Sequence, residues 1–80
     1  MVLLWPAAAH LADEMVDCLV EWRESAAALA NAYRRWSDAP RAEEHRRYSA
    51  YTAWLDQEES AARRYELAVA EVEHWLERAR

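Results

Sequence analysis

Few residues in this 80-residue chain have the type and spacing to do chemistry. Glu71 and His74 form Glu-x-x-His, the spacing with which helical bundles hold a di-iron or di-manganese centre. Such ligands must point into a bundle. The heptad set out below puts both on the outer face, so no metal is expected there. His10, opposite them across the hairpin, also falls outward, and His45 sits among polar residues. Glu58 is the one charged residue on an otherwise apolar stripe. A carboxylate there needs donors such as a Trp N–H, a Tyr hydroxyl or an Arg, because a buried charge without partners is costly. No nucleophile–base pair accompanies it, so a catalytic role is not expected. Two roles remain open for Glu58, a polar residue that fixes register or a hydrated carboxylate at the edge of the stripe. Cys18 is the only cysteine, which excludes an internal disulfide framework and a multi-cysteine zinc site. It reads as a small apolar residue facing the interior, able to form an intermolecular disulfide only beside a dimer axis. Neither a cofactor nor an enzymatic activity is expected.

Binding chemistry has a stronger signature. Tyr33, Trp36, Tyr48, Tyr51 and Trp54 are interleaved with Arg34, Arg35, Arg41, Arg46 and Arg47. Aromatic residues and Arg are the types enriched at the energetic centres of protein interfaces. Tyr33 and these five Arg form a candidate partner patch. The competing reading is that the rings lock the local fold and the Arg side chains cover them.

Two elements must position these groups. After residue 6 the only break is Trp36-Ser37-Asp38-Ala39-Pro40. Ser37 or Asp38 can cap a new helix, Pro40 suits its first turn, and Glu43 and Glu44 then lie near the positive end of its dipole. The pattern predicts helix 1 over about 6–36, a turn at 37–39 and helix 2 over about 39–80. So short a turn makes the helices antiparallel neighbours, a single all-α hairpin domain over 1–80.

On helix 2, Tyr48, Tyr51, Leu55, Glu58, Ala62, Tyr65, Val69, Val72, Leu76 and Ala79 follow the 3-4 spacing of heptad a and d positions, and Trp54, Ala61, Ala68 and Trp75 adjoin them. Helix 1 answers with Ala8, Met15, Trp22, Leu29 and Trp36 in one row and Leu11, Cys18, Ser25 and Ala32 in the next, flanked by Ala12, Leu19, Ala26 and Tyr33. Three apolar positions per heptad make a stripe wider than one neighbouring helix can cover. Trp, Tyr and Leu left half exposed forfeit roughly 1–2 kcal/mol each. Two hairpins packed face to face recover most of that, so a homodimeric four-helix bundle is expected, or a partner helix from another chain.

Composition agrees. The chain has no Gly, Phe, Ile or Lys, and 54% of its residues are apolar, too many for a disordered tail. The net charge of −5 argues against a nucleic-acid binder, which needs a basic face. The charge is nonetheless uneven: net −4 over 1–33, +2 over 34–47 and −3 over 48–80. Met1–Ala9 lacks a basic start and is interrupted by Pro6, so a signal peptide is not expected. No apolar run approaches the ~18 residues that span a bilayer. A cytoplasmic protein without membrane association is the expectation.

Tyr33-Arg34-Arg35-Trp36-Ser37-Asp38 places a Trp at the turn between two helices. In this the chain resembles the WXG-type helical hairpins of type VII secretion. The resemblance covers Trp36 and the two-helix outline. The family's Gly two places after the Trp is Asp38 here, and Tyr65, followed four places on by Val69, does not match its C-terminal Tyr-x-x-x-Asp/Glu signal. The resemblance implies a small secreted cargo. The residues by themselves point to a non-enzymatic oligomerisation or adaptor module that binds another protein, with a small subunit of a larger complex as the alternative and a ferritin-like metal protein last.

Overall fold

A computed structural model describes residues 5–80; of the Met1–Ala9 stretch read above for a leader, residues 1–4 lie outside the described residues. Helix α1 runs Trp5–Ser37 and helix α2 runs Glu44–Ala79, joined by a short 3-10 turn at Arg41–Glu43. The two helices pack antiparallel into a rod 61 × 14 × 12 Å. Both are long because Ala, Leu, Glu and Arg lose little on entering a helix and no Gly interrupts them. No strand occurs among the described residues, and none of the helices is long and apolar enough to cross a membrane.

The connection differs from the sequence expectation. Ala39 precedes a proline, which disfavours helical backbone there, and Pro40 itself is extended (φ −60°, ψ 151°). The chain therefore cannot re-enter a helix at residue 39. It makes one 3-10 turn, with Glu43 N–H donating to the Pro40 carbonyl at 2.9 Å, and becomes α-helical at Glu44. Ser37 and Asp38 do not cap α2 as expected. Ser37 closes α1, and Asp38 N–H donates back to the Arg34 carbonyl at 3.0 Å. Arg34 and Arg35 in that last turn face the negative end of the α1 dipole.

This longer connection resets the register. Counting outward from a turn at 37–39 places Glu58 level with Cys18 and Leu19; instead its carboxylate meets Trp22, one turn nearer the tip. Residues 38–43 consume chain without extending α2, so every residue of α2 lies closer to the tip than a count from residue 39 places it.

Among the described residues only Ala32, Ala61 and Ala68 are buried, at 1–7% exposure. They mark where the backbones approach most closely. The line of contact on α2 runs through Tyr51, Glu58, Ala61, Tyr65, Ala68 and Val72, all half-buried or buried. Tyr48, Leu55, Ala62, Val69 and Leu76 consequently fall to one side of it. No large side chain among the described residues is fully buried. The hairpin has a contact line rather than a core, and such an arrangement is marginal for a domain of this size.

Candidate functional site

The two sides of the hairpin have opposite character. On the first, the rings of both helices meet. Trp22 stacks on Tyr65 with centroids 5.5 Å apart, and Trp36 stacks on Tyr51 at 5.3 Å and tilts against Tyr48 at 4.9 Å. Tyr33 closes the cluster edge-on to Trp36 at 6.0 Å and to Tyr51 at 5.8 Å. Beside this ring line run Ala12, Leu19, Ala26 and Tyr33 on α1 and Tyr48, Leu55, Ala62, Val69 and Leu76 on α2. Both rows repeat every seven residues and contain no charge. Tyr33, Tyr48 and Leu76 are 45–52% exposed. Leu29 and Trp75 are half-buried. Towards the open end of the rod, Leu11, Ala12, Val72, Trp75 and Leu76 line an apolar groove of about 460 Å³. The result is one continuous apolar face that the hairpin cannot cover by itself.

Glu58 is the carboxylate in the middle of this face, whereas Asp13 lines the groove at its open end and Glu44 the one beside Trp36 and Tyr48. Glu58 Oε1 accepts a hydrogen bond from Trp22 Nε1 at 2.8 Å, and both side chains are half-buried. The carboxylate thereby satisfies an indole N–H that otherwise lacks an acceptor. Replacing Glu58 with Leu exchanges one hydrogen bond, worth about 1 kcal/mol, for apolar burial of similar size. Thermal melts of Glu58→Leu are expected to stay within about 1 kcal/mol of the parent. A loss beyond about 2 kcal/mol would mean that the carboxylate anchors more than this indole.

The opposite side is polar. Glu21 and Arg64 approach at 3.6 Å there, and Arg64 also donates to Ser60 at 3.0 Å. Near the tip, Ala28, Asn31, Arg35, Arg46, Arg47 and Trp54 line a groove of about 370 Å³, in which Trp54 is 41% exposed. Arg47 is the strut of this end. It donates to the Arg35 carbonyl of α1 at 3.0 Å and to Glu43 Oε2 at 2.9 Å, and its Nε is buried without an acceptor. Arg46 also pairs with Glu43. Arg34, Arg35 and Arg41 are exposed, and their guanidinium groups make no ion pair among the described residues. The candidate partner patch thus divides into a structural part, Arg46 and Arg47, and a part open to a ligand, Tyr33, Arg34, Arg35 and Arg41.

Glu71, His74 and His10 are exposed, as the heptad placed them, and His45 is exposed as well. Cys18 is half-buried with a free thiol. Sequence reasoning treated Ala61 and Ala68 as flanking residues and gave Arg47 no special place. The seven-residue interval from Trp54 through Ala61 and Ala68 to Trp75 is the signal that could have found the close approach. No signal in the chain marks the Arg47 strut, which depends on the backbone of another helix. Comparisons with protein-family models, curated proteins and solved structures give no match.

Proposed function

We propose that this chain is a non-enzymatic helical interaction module that self-associates through its apolar face into a dimeric four-helix bundle and uses its basic tip to engage another protein. The observation that carries this reading is the continuous apolar face running along the ring line. A soluble monomer rarely leaves a contiguous apolar patch of several hundred Å² open. The rod's footprint, 61 Å by 14 Å, is roughly 850 Å², close to the ~800 Å² per partner of a standard stable interface. The open guanidinium groups of Arg34, Arg35 and Arg41 at the tip suit a partner that presents carboxylates.

Static light scattering tests the reading directly. At micromolar concentration the mass is expected to be twice that of the 9.4 kDa chain, with melting temperature rising as concentration rises. A cooperative, concentration-independent monomer would refute self-association and leave the face to a different chain.

A further inference from the structure

The charges that border the apolar face select one of its two ways of meeting a second copy. This step rests on the self-association proposed above. A face-to-face pair with two-fold symmetry is isologous, and only two arrangements bury the whole length of the rod. With the axis along the rod, α1 of one copy lies over α2 of the other and the tips share one end. With the axis across the rod, α1 lies over α1 and α2 over α2, and the tips point apart.

Residues one helical turn beyond the apolar rows form the borders of the face. On α2 this border is Thr52, Glu59, Glu66 and Glu73, an acidic residue every seven from 59 onward. On α1 it is Ala9, Val16, Arg23 and Ala30, with one cation and no anion. Arg23 and the three Glu are exposed and take part in no ion pair among the described residues. Tips apart would lay α2 against α2 and bring one glutamate row against the other. Because the row repeats every heptad, sliding the copies does not relieve the repulsion. Tips together lay the glutamate row against the α1 border instead. The ring of Trp22 spans Glu58 and Tyr65, so Arg23 lies within about half a turn of Glu59 along the rod, and symmetry about the long axis preserves that level between copies. Of the basic side chains of the tip, Arg35, Arg46 and Arg47 line the groove on the other side of the hairpin, and Arg41, which lies beside Trp36 and Tyr48, shares its groove with the carboxylate of Glu44.

We infer that the occupant of the apolar face is a second copy of this chain docked with both tips at the same end, Arg23 of each hairpin facing Glu59 of the other. Spin labels at the turn, introduced as Asp38→Cys in a Cys18→Ala background, read the geometry by dipolar spectroscopy. Tips together place the labels roughly 20 Å apart, about two helix spacings. Tips apart place them at opposite ends of a rod 61 Å long. A long distance in a protein of dimer mass overturns the orientation and leaves self-association standing. Monomer mass by light scattering overturns the self-association beneath it. Charge reversal reads the pairing: Arg23→Glu is expected to weaken dimerisation roughly tenfold, since two symmetric exposed pairs turn repulsive. Adding Glu59→Arg is expected to restore the parent affinity. Failure of that rescue would overturn the Arg23–Glu59 pairing.

Discussion

Leu55→Asp combined with Val69→Asp is expected to leave the chain helical but strictly monomeric, with a mass of 9.4 kDa at every concentration at which the parent is a dimer. Leu55 and Val69 lie on the α2 row that falls beside the contact line, half-buried in the hairpin and uncovered on the side of the apolar face. Within one hairpin, an aspartate at either position keeps access to water. Inside a four-helix bundle it does not, and desolvating an unpaired carboxylate costs several kcal/mol. Two substitutions per chain put four carboxylates into the interface. The dissociation constant should rise by far more than a hundredfold, because each 1.4 kcal/mol is about a factor of ten. Circular dichroism separates this outcome from simple unfolding: helical content should remain high while the mass halves. A double variant that retains dimer mass would show that association uses a different surface, with the surface around Leu67, the most exposed large apolar residue among the described ones at 68%, the next to test.

Trp22→Ala is expected to be the most damaging single substitution within the hairpin itself. Trp22 stacks on Tyr65 at 5.5 Å and donates to Glu58 at 2.8 Å, so one indole ties α1 to two residues of α2 that lie two turns apart near mid-rod. Removing a fully buried Trp costs about 3–5 kcal/mol. Half-burial reduces that to roughly 2–4 kcal/mol. For a domain of this size each kcal/mol moves the melting midpoint by about 4–8 °C, so a drop of roughly 10–25 °C is expected. Because dimerisation would raise the apparent stability, parent and variant must be compared at one concentration. Trp22→Phe keeps the ring stack and loses the N–H, and should cost only about 1 kcal/mol. If Trp22→Ala melted within a few degrees of the parent, the ring line would not be what holds the helices together.

The fold and the face were legible to different depths. The hairpin follows from the sequence alone because its causes are local. An uninterrupted supply of helix-forming residues, one Pro-containing break and a 3-4 repeat of apolar side chains permit only two helices lying side by side. The outward placement of Glu71 and His74 followed from the same periodicity, since a residue's face is fixed by its spacing from its neighbours. The excess width of the stripe was equally readable, because counting apolar positions per heptad requires no partner.

Three features waited for the tertiary structure. The start of α2 depended on how Ala39 and Pro40 negotiate the reversal, and the delay to Glu44 shifted Glu58 from Cys18 to Trp22. The rotation of α2 about its own axis depended on which rows could approach most closely. Ala32, Ala61 and Ala68 won because a methyl group admits the neighbouring backbone where Leu or Tyr would hold it away, and that choice sent Tyr48, Leu55 and Leu76 to the side. The Arg47 strut joins a side chain of α2 to a carbonyl at the end of α1, a meeting created only by the turn. Periodicity along one helix states which side chains share a face. Which faces then meet, and at what level, is decided by the packing of the other helix against it, and one sequence read along its length carries no direct record of that.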